Sequence, residues 1–181
     1  MKVNWRVYIS LFSIAAVVIC LDQYSKFLIR KNLAVGEIWS PWDWMTPYAR
    51  IVNWYNTGVA FGMFQGLGQV FTILNIVVSI LIIFYYERLA HQGWLIRLAM
   101  GMLLGGAIGN LVDRMIFGHV TDFISIGTFP VFNVADSSIS IGVAMILLTL
   151  WLQERRKNTP APGDLPSNTP VNPPAENEST Q

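Results

Sequence analysis

Long apolar runs separated by short polar stretches dominate the chain. Four runs read as membrane-spanning helices: residues 7–28, 70–86, 94–117 and 137–152. At 1.5 Å rise per residue the first covers about 33 Å, against a hydrocarbon core of about 30 Å. Lys2 and Arg6 precede it in the manner of a signal peptide. No small-residue cleavage pattern follows, so the helix is expected to be retained. Residues 32–69 are too polar and too broken to span. They hold Trp39, Trp42, Trp44 and Trp54, a residue type that prefers the headgroup region, which predicts a segment at the membrane surface. Within it, β-branched and aromatic residues between positions 49 and 64 predict a short strand or hairpin. Residues 158–181 hold six of the nine prolines and no aromatic residue, and so predict a disordered tail. The expected organisation is a membrane domain over 1–157 followed by that tail.

Composition sharpens this picture. The chain has 181 residues, 53% hydrophobic and 13% charged, where soluble domains carry roughly a quarter charged residues. The expected class is a mainly α integral membrane protein. A net charge of +1 implies no nucleic-acid partner. The single cysteine, Cys20, excludes an intrachain disulfide. In the run IAAVVICLDQ it reads as a small buried thiol. With four spans, both termini share a side with the loop ERLAHQGWLIR, and that side carries seven Lys and Arg against five on the other. The bias places the termini in the cytoplasm.

Charges in or near hydrocarbon are costly unless paired, hydrated or turned inward. Asp22 and Lys26 lie four apart near the far end of the first helix and can pair. Asn110, Asp113 and Arg114 share a face near the same end of the third helix. We therefore expect a buried network of Asp22, Lys26, Asp113 and Arg114, with no net charge. Gly101, Gly105 and Gly109 form a small-residue ridge that lets a second helix approach.

The stretch GHVTDFISIGTFPVFNVADSS carries Asp122 and Asp136, fourteen positions apart. On one helix they would lie about 21 Å apart. A chain reversal at Gly127 and Pro130 would let them meet. Asp136 would then cap the fourth helix. Two neighbouring carboxyls in a partly dry site share one proton near neutral pH, and so offer one acid and one base. Hydrolysis of a peptide by activated water needs that pair. In this reading Asp136 is the base and Asp122 is protonated. Two alternatives stay open: a metal-dependent peptidase using Asp113, His119, Asp122 or Asp136, and a small transporter lined by Asp22, Asp113 and Arg114.

Five blocks occur in order on this four-span pattern: DQYSK (22–26), YNTGVAF (55–61), GNLVDR (109–114), VTDF (120–123) and FNVADS (132–137). Together they resemble the lipoprotein signal peptidases, or signal peptidase II, over about residues 7–153. The resemblance implies an aspartic endopeptidase of the bacterial cell membrane; separately, no metal or other cofactor is expected, and the protein is expected to act as a monomer. Its substrate would be prolipoprotein carrying a diacylglyceryl group, cut just before the lipidated cysteine. It implies Asp122 and Asp136 as the catalytic dyad and Asn56, Asn110, Arg114 and Asn133 as substrate-binding or site-supporting residues. Asp22, Lys26 and Asp113 would support the site. It further implies a small extracytoplasmic β-sheet, a short surface helix and sensitivity to globomycin-type cyclic peptides.

Overall fold

The computed structural model describes residues 5–58 and 68–157. The expected tail, residues 158–181, lies outside them, as does part of the block at 55–61. Among the described residues there are four long helices: α1 (Trp5–Asn32), α2 (Gly68–Leu89), α3 (Trp94–Phe117) and α4 (Val134–Lys157). All four are long and apolar enough to cross a membrane. The same residues include three short strands: β1 (Ile38–Trp39), β2 (Ala49–Asn56) and β3 (Val120–Ile126). One turn of 3-10 helix, Asp43–Met45, lies between β1 and β2. The expected class, four spans with a small sheet, is the one observed.

Helix α3 is the axis of the bundle. Without a hydrophobic driving force between helices in lipid, close backbone approach and polar contacts must hold them. The glycine ridge supplies the first. A Cβ at Gly101 would meet Ile14 Cβ at 2.6 Å, and one at Gly105 would meet Val18 Cβ at 2.6 Å. At Gly109 it would meet the Asp22 carboxylate at 2.7 Å. This ridge therefore seats α1. Gly106, on another face, seats α4: a Cβ there would meet the Ala135 carbonyl oxygen at 2.5 Å.

The two ends of the bundle differ in chemistry. Away from the sheet, Leu11, Ala15, Ile82, Tyr86, Ile96, Met100 and Leu104 form an apolar core. Ser10 and Tyr86 share a hydrogen bond of 2.7 Å within it. Toward the sheet the buried residues become polar: Asp22, Lys26, Asn110, Asp113, Thr121, Asp122 and Asn133. Cys20 is exposed on α1, not buried. In a run that is apolar all round, the pattern does not say which face meets lipid.

The sheet is antiparallel in the order β1-β2-β3. β2 pairs with β3 so that Trp54 lies opposite Asp122, with an irregularity between Ile51 and Trp54. Trp39, Trp42, Trp44 and Trp54 are all exposed. Helix α3 stops at Gly118, whose φ of 75° is left-handed and whose N–H caps the Arg114 carbonyl. β3 then leaves the helix. After it the chain turns at Gly127, φ 52°. Phe132 returns alongside, exchanging backbone hydrogen bonds with Ile124 of 2.8 and 3.0 Å. This reversal delivers Asn133 and the start of α4 beside Asp122.

Candidate active site

Lys26 is the centre of the buried polar layer. Its Nζ lies 2.8 Å from Asp22 Oδ2 and 3.2 Å from Asp113 Oδ2, and all three side chains are 0% exposed. It also donates to Asn110 Oδ1 at 3.0 Å, so its three N–H groups are engaged. The fourth charge of this layer is Arg30, not Arg114. Arg30 Nη1 lies 3.5 Å from Asp113 Oδ1 and donates to Thr121 Oγ1 at 3.0 Å. Two acids and two cations leave the layer neutral, as burial requires. Arg114 instead faces a cavity, with its guanidinium 5.8 Å from the Phe71 ring centroid. Successive helix positions are about 100° apart. Arg114 therefore points away from the face that buries Asp113. Gln23 was not singled out in the sequence, yet it ties the layer together. It donates to Asp22, to the Gly109 carbonyl and to Asp113 at 3.0–3.2 Å.

The start of α4 is held from two sides. Asn133, not Asp136, caps it: Asn133 Oδ1 accepts from Asp136 N at 2.9 Å. Asp136 Oδ2 accepts in return from Asn133 N at 3.3 Å. This reciprocal arrangement is a capping box with a carboxylate three residues into the turn. Asp22 Oδ1 accepts from Ala135 N at 2.9 Å. A carboxylate from α1 thus satisfies one of the free N–H groups at the positive end of α4.

Asp122 sits on β3, and its neighbour Thr121 anchors the strand. Thr121 N donates to Asp113 Oδ2 at 2.9 Å. Both Asp122 oxygens accept from amides: Oδ1 from Asn133 Nδ2 at 2.6 Å and Oδ2 from Asn56 Nδ2 at 2.8 Å. Asp136 Oδ1 accepts from Asn110 Nδ2 at 2.8 Å. Asn133 is the joint. Its amide reaches Asp122 and Asn110, while its backbone reaches Asp136.

Asn56, Asn110, Arg114, Asp122 and Asp136 line one cavity of about 560 Å³. Asn133 lies behind it, fully buried. Asp22, Lys26 and Asp113 lie one layer further back, joined to it through Asn110 and Ala135. The remaining wall is mostly apolar and includes Phe71, Phe129, Pro130, Val131, Phe132 and Ile139. Asn75, Ser137 and Ser140 also line it and were missed in the sequence. An asparagine amide inside the apolar run of α2 is the signal that could have found Asn75.

The Asp122 carboxyl is pushed up to about 7, by burial first and by the nearby Asp136 charge second. Hydrogen bonds from Asn56 and Asn133 and the Lys26 charge oppose this. The His119 ring packs against Tyr55 at a tilt of 31°, with centroids 3.8 Å apart. Among the described residues, no group of three or more His, Cys, Asp or Glu side chains converges as metal ligands.

Fold and cavity define a class: a multi-pass membrane protein with two hydrogen-bonded carboxyls at a cavity near one end of its spans. Residues 14–152 match the model of the signal peptidase (SPase) II family. The chain is 38% identical over 160 residues to the lipoprotein signal peptidase of Staphylococcus carnosus, covering 86% of this chain and 98% of that one. It is 35% identical over 144 residues to that of Halothermothrix orenii, covering 80% and 97%. A solved bacterial membrane enzyme superposes with a TM-score of 0.76 at 30% identity, covering 83% of this chain and 93% of the other. The chain belongs to the signal peptidase II family.

Proposed function

We propose that this protein removes the signal peptide from diacylglyceryl-modified prolipoproteins, cutting just before the lipidated cysteine, with Asp122 and Asp136 as the catalytic dyad. The observation that carries this reading is the joining of both carboxyls through Asn133 on the wall of one largely apolar cavity. A signal peptide and two acyl chains are apolar and stay in the bilayer. The wall formed by Phe71, Phe129, Phe132 and Ile139 suits them. Peptide groups brought into such a place need hydrogen-bond partners, and polar groups stand beside the dyad to meet them.

In this mechanism a water lies between the carboxyls. Asp136 takes its proton as its oxygen attacks the scissile carbonyl carbon. Asp122, protonated near neutral pH, donates a hydrogen bond or a proton to the carbonyl oxygen. The C–N bond then breaks, and the amine of the lipidated cysteine leaves with a proton returned by Asp136. Asn110 and Asn133 hold Asp136 in line, and Asn56 and Asn133 hold Asp122. Arg114, facing the cavity without an ion-pair partner among the described residues, offers a fixed fork of donors to carbonyls of the bound chain. Lys26, Asp22 and Asp113 keep Asn110 and the start of α4 in place. The sheet end faces outward and the termini lie in the cytoplasm, supported by the Lys and Arg distribution and by the exposed tryptophans near the sheet. One copy contains all of these residues, which supports action as a monomer.

The test is cleavage of purified lipid-modified and unmodified precursor by the wild-type enzyme, with the products read by mass spectrometry. The expected result is cleavage of the modified form alone, leaving the lipidated cysteine as the new N-terminus. Equal cleavage of the unmodified form, or a cut elsewhere, overturns the assignment.

A further inference from the structure

The amides of Asn56 and Asn110 line the cavity but are already engaged, each donating to a carboxylate at 2.8 Å. The amide of Asn75 differs. It lies on the cavity wall of α2, and its Nδ2 is buried without a hydrogen-bond partner among the described residues. Leaving such a donor unmet is unfavourable, most of all in a helix set in lipid. The terminal torsion of an asparagine is broad, so the amide can turn its N–H₂ toward the cavity at little cost.

The depth of Asn75 follows from its neighbours. A Cβ at Gly68 would lie 3.9 Å from the Gly118 carbonyl oxygen, so the start of α2 is level with the end of α3. One turn further in, Phe71 meets Arg114. A second turn brings Asn75 level with Asn110, which bonds Asp136. Across the cavity, Ser140 lines the α4 wall one turn beyond Asp136. The unengaged amide therefore stands at the depth of the dyad, on the wall facing α4.

We propose that Asn75 is a substrate-binding residue, which donates its amide N–H to a carbonyl oxygen of the lipid-modified peptide held in this cavity. This rests on the reading given under Proposed function. Two parts of such a substrate carry carbonyl oxygens: the peptide backbone and the acyl esters of the diacylglyceryl group. The geometry fixes the chemistry, and substrate variants separate the two sources.

The experiment compares wild type, Asn75→Leu and Asn75→Ala on two synthetic lipopeptides, one with ester-linked and one with ether-linked chains. Either substitution is expected to lower kcat/KM by about tenfold, the scale of one lost hydrogen bond. The melting temperature should not fall, because an unmet amide has been removed from an apolar helix. A loss on both lipopeptides assigns the backbone carbonyl. A loss on the ester-linked one alone assigns the acyl ester. Unchanged kcat/KM on both, or a loss that tracks a lowered melting temperature, overturns the proposal. If the wild type cleaves neither lipopeptide, the underlying reading fails as well. If the wild type cleaves and the variants match it, only the role of Asn75 fails.

Discussion

Asp122 is the residue whose protonation carries the largest consequence. Its carboxyl titrates near 7 when folded, against about 3.9 in a free chain. Between these values the folded protein holds the proton and the unfolded chain does not, so stability falls as pH rises from about 4 to 7. The stabilisation is complete below the unfolded value and gone above the folded one, with an upper bound of roughly 4 kcal/mol. Asp122→Asn removes this titration. Its stability relative to wild type should therefore improve between pH 5 and pH 8, as read from denaturation midpoints at each pH. A difference that does not change with pH would show that Asp122 ionises normally. The same proton should govern turnover, with kcat/KM declining above an apparent pKa near 7.

At the scale of elements, the site depends on how closely α4 lies against α3. Gly106 permits that approach: a Cβ there would press the Ala135 carbonyl oxygen and Ile139 Cγ1 at 2.5 and 2.7 Å. Overpacking of this kind costs about 1–3 kcal/mol and moves backbone. Gly106→Val should push the start of α4 outward and stretch the 2.8 Å bond from Asn110 to Asp136. We expect at least a hundredfold loss of kcat/KM, on the scale of a lost acid–base contribution, together with a lowered melting temperature. Wild-type values of both would contradict this packing account. The glycine spacing on α3 made the approach of a partner legible, because close backbone contact demands small residues. It did not show that one glycine face seats α1 and another α4. β3 was not legible as a strand. Its residues Val120, Thr121, Asp122 and Phe123 are all buried, so the alternation that marks a half-exposed strand is missing. Acids and amides both favour helix starts, so the stretch ADSS alone points to Asp136 as the cap of α4. Only the hydrogen bonds place Asn133 outside the helix and Asp136 inside it.

For the molecule as a whole, a four-span fold was legible because the bilayer sets the length of each apolar run whatever the packing. The pairing of Asp22 with Lys26 was legible for a local reason, since positions four apart on a helix meet. The choice between Arg30 and Arg114 as the last charge of the buried layer was not. It depends on the rotation of α1 and α3 about their axes, which the full set of contacts decides. The layer's neutrality survives that exchange, because one guanidinium replaces another. An apolar bundle at one end gives way to a polar layer at the other, which holds Asp122 and Asp136 against a largely apolar cavity, the arrangement proposed for cutting a lipid-bearing peptide. The most direct test of this claim is the cleavage rate of lipid-modified precursor by Asp122→Asn and by Asp136→Asn, each checked for folding. The account predicts that each single variant loses at least about a thousandfold in rate, within the range of acid–base catalysis. A rate near that of the wild type in either variant would contradict it.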